Sequence, residues 1–225
     1  MECRTRLLFC IIAVRTTALA PSFDTFSAAA MGSWHGTRYE WPGDTNGVAC
    51  TSVVDEVMRS CGGAVQGVRV DDGPLLNRQD DGFCFFDCGS WTQGPTALAE
   101  VAAFDVGLAT HSGRVRCVVS VDVAARKAVH ATLVVEEKAG ATPLAKRESL
   151  AATGSPWLAP RLKWKRAAEA TTLPADAVAL PGGVSIACVD KNGATDVLVH
   201  ADDVSLTRSY DASGALVAIS FHAPS

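Results

Sequence analysis

Arg114-Val115-Arg116-Cys117-Val118-Val119-Ser120-Val121-Asp122-Val123 sets Val115, Cys117, Val119, Val121 and Val123 on one side of an extended chain. Arg114, Arg116, Ser120 and Asp122 fall on the other, and Val118 is the one exception. Side chains alternate faces along a strand, so this spacing predicts a strand with one buried and one polar face. Val204-Ser205-Leu206-Thr207-Arg208-Ser209-Tyr210 alternates in the same way. Further strands are predicted at 34–41, 48–59, 64–70, 82–88, 100–109, 128–137, 184–190, 195–200 and 215–222. The joins are short: Asn192-Gly193 suits a two-residue hairpin turn, and Ser112-Gly113 and Asp211-Ala212-Ser213-Gly214 serve the same end. About ten sequential strands joined by tight turns make an antiparallel meander, whose edges are open to unwanted pairing unless the sheet closes. The expected fold is all-β, a closed antiparallel up-and-down barrel with a short N-terminal helix; a two-sheet sandwich is the alternative.

Outside the strands, residues 22–31 predict the helix that leads into the first strand, and residues 139–175 a Pro- and Ala-rich crossover. Within the crossover, residues 161–170 have helix-forming composition, yet Leu162 and Trp164 alternate with Lys163 and Lys165 as in a strand, and both readings stay open. Arg161, Lys163, Lys165 and Arg166 read as a solvated face, with anionic lipid or a partner protein as the other reading.

The first 20 residues read as an export leader. Arg4 and Arg6 precede an apolar run from Leu7 to Val14, and Ala18-Leu19-Ala20 offers a small-x-small cleavage site. An N-terminal helix of the domain itself is the alternative. An ER-type leader directs the chain to a plastid, with residues 21–31 as a transit-like or helical lead-in, or else to secretion. Residues 32–225 are then a single barrel domain. No later apolar run has the roughly 18 residues a helical span requires, so no integral membrane span is expected once the leader is removed.

The 225 residues are 48% apolar with a net charge of −4, enough apolar surface for a core and no basic stripe of the kind nucleic acid requires. The chain has no nucleophile elbow, HExxH zinc motif, P-loop or dinucleotide-binding glycine pattern, which removes the ready-made hydrolase, kinase and dehydrogenase readings. His35, His111, His130, His200 and His222 are scattered, and no metal site is expected from them. Cys84 and Cys88, if both lie on one strand, are about 13 Å apart and cannot share a ligand or a disulfide. Cys50, Cys61, Cys117 and Cys188 read as small apolar residues, with disulfides left open.

Gly32-Ser33-Trp34 is similar to the G-x-W that opens the first strand of lipocalins, where an arginine from a late strand covers the tryptophan; Arg208 holds that place here. Trp34-His35-Gly36 with Tyr39, the run Phe86-Asp87-Cys88-Gly89-Ser90-Trp91-Thr92-Gln93-Gly94-Pro95, then Leu180-Pro181-Gly182-Gly183-Val184-Ser185 and Arg208-Ser209-Tyr210-Asp211-Ala212-Ser213-Gly214 occur in order. Together they resemble the calycin-fold proteins of cyanobacteria and plastids related to phycobiliprotein lyases, over about residues 22 to 222. The resemblance implies a broad barrel that holds an open-chain tetrapyrrole and delivers it to a cysteine of an antenna protein. Many of those lyases carry two arginines before the late-strand tyrosine, whereas this chain has Arg208 alone.

If Trp34 points inward, the two-residue period turns Gly36, Arg38 and Glu40 inward too and leaves His35, Thr37, Tyr39 and Trp41 outside. Arg38 is then the candidate for a ligand carboxylate, and Glu40, Glu136 or Glu137 for the pyrrole N–H donors, with a structural Arg38–Glu40 pair as the alternative. Glu40 and Glu137 are the candidate acids for protonating a bound bilin so that a partner thiolate can add. Trp91, Phe86 and Tyr210 are candidate ligand walls, with ordinary core as the alternative for the aromatics. Trp34 and Arg208 are expected to close the barrel floor. No cofactor is required beyond a bound bilin or other hydrophobic ligand. Three functions follow: a bilin lyase or chaperone, a carrier of a lipid, carotenoid or similar hydrophobe, and an assembly protein with a filled barrel.

Overall fold

A computed structural model describes residues 26, 29–30, 32–43, 49–61, 67–70, 75–77, 82–86, 88–110, 113–138, 163–166 and 172–223. The leader, most of the 21–31 lead-in, His111, Ser112 and residues 139–162 of the crossover lie outside the described residues. So do the side chains of Cys50, Cys61 and the Lys163–Arg166 cluster. No helix among the described residues is long and apolar enough to cross a membrane.

The strands are β1 (Gly32–Trp41), β2 (Ala49–Cys61), β3 (Gly67–Val70), β4 (Leu75–Asn77), β5 (Phe83–Phe85), β6 (Trp91–Gln93), β7 (Val101–Ala109) and β8 (Arg114–Asp122). After them come β9 (Lys127–Lys138), β10 (Lys163–Arg166), β11 (Val178–Leu180), β12 (Val184–Lys191), β13 (Ala194–Ala201), β14 (Val204–Tyr210) and β15 (Leu216–His222). Phe26, Ala29 and Ala30 are helical, where a short lead-in helix was expected.

These strands form two sheets, of order β4-β3-β2-β1-β9-β8-β7-β6-β5 and β10-β15-β14-β13-β12-β11. The architecture is all-β and antiparallel apart from the parallel pair β10–β15. Hydrogen bonding among the described strands does not close the single ring expected. Instead, one bridge, Ala97 to Ala215, ties the sheets at a corner, supported by Leu98 N–H to Gly214 O and Leu216 N–H to Thr96 O. Residues 163–166 take the strand reading. At Asn192 and Gly193, φ values of 56° and 92° place both turn residues in the left-handed region, which that dipeptide tolerates.

The parity read from the sequence holds on both deciding strands. Val115, Cys117, Val119 and Val121 from β8, with Val204, Leu206 and Tyr210 from β14, lie in one apolar core between the sheets. On β1 the assignment of faces is reversed. The side that looks into this core carries Trp41 and Tyr39, and Trp34 lies in a second cluster on the opposite face with Phe26, Ala30, Phe83, Phe85 and Trp91. Each face of the strand carries one buried tryptophan, Trp34 or Trp41, so its alternation marks no single interior. The register slip against β2 pairs Arg38 with Ser52 and Tyr39 with Cys50, which puts the extra residue on β2. Pairing with β9 runs unbroken from Trp34 to Trp41, so Arg38 and Glu40 do share the Trp34 face, the face turned away from the core.

Arg208 does not cover Trp34. It is buried on β14, and its five N–H donors meet five oxygens: Nε to the Tyr210 hydroxyl, Nη1 to Gly82 O and Thr92 Oγ1, and Nη2 to Gly94 O and Pro95 O. Tyr210 donates in turn to Pro95 O at 2.8 Å. This clamp fastens the small sheet to the β5–β6 corner of the large one. Removing it strands several buried acceptors, so Arg208→Met is expected to cost at least about 3 kcal/mol. In denaturant titrations, a double-mutant cycle with Tyr210→Phe shows coupling, and one with Trp34→Phe is additive within about 0.5 kcal/mol.

Candidate functional site

The cation on Trp34 is Arg114, whose guanidinium carbon stands 4.1 Å from the ring centroid and 5.5 Å from that of Trp91. β9 lies between β1 and β8, and its Glu136 pairs with Gly36 on one side and Arg114 on the other. Arg114 donates to Glu136 Oε2 at 2.6 Å, and the two side chains are 1% and 0% exposed. Lys138 adds a second cation 5.6 Å from the Trp34 ring, and the Trp34 indole N–H donates to Ala30 O. Trp91 lies over Gly107 on β7, where any Cβ would collide with the ring. The G-x-W signal therefore does mark a tryptophan under an arginine, but the arginine comes from β8. Its signal was the unmatched charge at the start of the 114–123 alternation; the sheet order that brings β8 near β1 cannot be seen in the sequence.

The structure distributes the predicted site residues widely. Glu40 accepts from Thr132 Oγ1 at 3.1 Å and pairs with His130 Nε2 at 3.2 Å. Glu137 lies opposite His35 on the other face of the sheet. Glu40 pairs with Thr132 and Glu137 is five residues further along β9, so the two carboxyls are about 17 Å apart along the strand and do not act on one ligand atom. Arg38 is half-buried between Ser52 and Val134 on the Glu40 face. Phe86 is buried and stacks on Phe221 at 4.3 Å, and Trp91 is buried against Phe26. Tyr210 is buried beside Phe104, and burial pushes its hydroxyl pKa up while Arg208 opposes the shift.

Two clefts are lined by described residues. A cleft of about 620 Å³ lies beside the β6–β7 corner, walled by Phe104, Ala103, Val118 and Pro95. Its polar end is Gln93 with Asp105 and Arg116. Arg116 donates Nη2 to Asp105 Oδ2 at 2.8 Å and Nε to Oδ1 at 3.2 Å, with both side chains 10% exposed. The rim residues Gly82, Gly94 and Pro95 are the ones whose carbonyls accept from Arg208. A smaller cleft of about 380 Å³ opens over β1 and β9 and contains Glu137. The residues of the larger cleft were missed by sequence reasoning. They come from three strands and a corner; Gln93, Gly94 and Pro95 stood in a noticed motif and Arg116 and Val118 in the 114–123 alternation, but nothing in the sequence joined them.

Cys84, Cys88, Cys117 and Cys188 are not disulfide-bonded. Cys88 sits in the turn after β5 and donates to Ser90 Oγ, so the single-strand geometry assumed for the Cys84/Cys88 pair does not apply. Burial, with a smaller contribution from Asp105, pushes the Cys117 thiol up to about 12, and burial pushes that of Cys188 up to about 11.

No protein-family model and no curated protein matches the chain. The fold is similar to that of a DUF3598-family protein of unknown function from Nostoc punctiforme. That likeness has 13% identity and a TM-score of 0.52, and it spans 88% of this chain and 97% of the other.

Two outcomes follow from this geometry. Glu136→Gln leaves a buried guanidinium without its counter-ion and is expected to cost about 3–5 kcal/mol, read by denaturant titration. Cys117 stays protonated at pH 8 and resists iodoacetamide in the native protein, as mass spectrometry of the alkylated protein can check; it labels only on unfolding.

Proposed function

We propose that this chain is a calycin-type binding protein that carries an amphipathic anion in the larger cleft and performs no chemistry on it. An open-chain tetrapyrrole is the cargo suggested by the family resemblance, and a fatty acid is the alternative. The two sheets act as walls of one barrel-like body, whose centre is taken up by Trp41, Phe86, Phe104, Ile186, Leu206 and Phe221. A cargo therefore sits on the flank. In this reading the leader takes the protein to a plastid, or alternatively out of the cell.

A positive charge lies beneath the rim of the cleft. Asp105 and Arg116 neutralise each other, while every N–H of buried Arg208 meets an uncharged oxygen, so among the described residues one positive charge has no counter-ion behind Gly82, Gly94 and Pro95. In a partly desolvated site this favours an anionic group, and the apolar wall takes the rest of the molecule. Two observations favour carriage over lyase chemistry. The sequence-predicted acids Glu40 and Glu137 do not line this cleft, and its one carboxylate, Asp105, is engaged by Arg116.

The test is thermal denaturation of the mature protein with biliverdin, a long-chain fatty acid or a carotenoid. Biliverdin or the fatty acid is expected to raise the melting temperature by about 5–10 °C at a hundredfold excess over Kd, and the uncharged carotenoid to leave it unchanged. Ala103 is exposed in the cleft wall, so Ala103→Trp fills the cleft and abolishes the shift without unfolding the protein. A shift that survives Ala103→Trp, or one as large with the carotenoid, overturns the assignment. Transfer of the bilin to an antenna protein's cysteine would show a lyase instead.

A further inference from the structure

The smaller cleft has the opposite charge, and we propose that it is a second binding site, independent of the first, for a small organic cation: a protonated amine on an aromatic or apolar body. Its charged lining is Arg114, Glu136 and Glu137. Arg114 and Glu136 are locked together at 2.6 Å beneath the surface, so the charge presented by this lining is that of exposed Glu137.

The rest of the wall suits such a ligand. His35, Thr37 and Tyr39 follow one another along one face of β1, and Val135 and Glu137 lie on the same face of β9. Tyr39 and Val135 pack partly against the main core, so their positions are fixed by tertiary contacts. Tyr39 offers an aromatic face that attracts a cation, Val135 an apolar patch, and Thr37 a hydroxyl. The volume of about 380 Å³ falls in the range of small-molecule sites and takes a bicyclic amine. An anion would meet Glu137, while Arg114, the arginine of the described lining, is already engaged by Glu136. The two clefts thus select opposite charges.

Titration calorimetry of the mature protein with tryptamine, its uncharged analogue tryptophol and its anionic analogue indole-3-propionate tests this. Tryptamine is expected to bind at least about tenfold more tightly than either analogue, and Glu137→Gln to weaken tryptamine by about tenfold without changing the melting temperature. Tyr39→Leu weakens it further, and Ala103→Trp, which fills the other cleft, leaves it unchanged. Absence of tryptamine binding, equal affinity for indole-3-propionate, undiminished affinity in Glu137→Gln, or loss of binding in Ala103→Trp would each overturn the proposal.

Discussion

Arg114 and Glu136 are a full ion pair with almost no access to water, on the face of the large sheet that does not meet the small one. A pair in that position is tolerated only when both partners are present and the surroundings supply polarisable or hydrogen-bonding groups. Trp34 and Trp91 supply ring faces to the guanidinium, Gly107 makes room for Trp91, and Phe26 closes over the ring from the helical lead-in. The second apolar cluster is therefore the cover of a buried charge as well as a hydrophobic contact. It ties the lead-in to a sheet whose opposite face is already packed.

A buried tryptophan on each face of β1 explains where the sequence was informative and where it misled. Strands of seven residues or more show their alternation, and β7, β8, β9, β12, β13, β14 and β15 fall where the period of two put them, within about two residues. β4, β6, β10 and β11, at three or four residues each, are too short to show a period. On β1 the period was read correctly and its direction was not, because Trp34 and Trp41 are both large, apolar and buried on opposite faces. The arginine over Trp34 was sought on a late strand by resemblance. Which arginine it is depends on the order β1-β9-β8, a long-range pairing that no local pattern encodes.

Arg208 illustrates a complementary point. Its inward parity was legible, and its task is to bind five oxygens at the corner where the sheets meet. Because none of those oxygens is charged, a structural clamp also leaves a field at the rim of the larger cleft. Together with the neutral Arg114–Glu136 pair under the smaller cleft, this is the charge placement on which the two proposed sites rest. The space between the sheets, where a barrel carrier would keep its cargo, is occupied by side chains.

Whether cargo binds on the flank, as proposed, or between the sheets is measured by intermolecular nuclear Overhauser effects to a bound fatty acid. Flank binding gives contacts from the acyl chain to the methyl groups of Ala103 and Val118, which line the larger cleft. Contacts to Ile186, Val199 or Leu206, which lie in the core between the sheets, would contradict it.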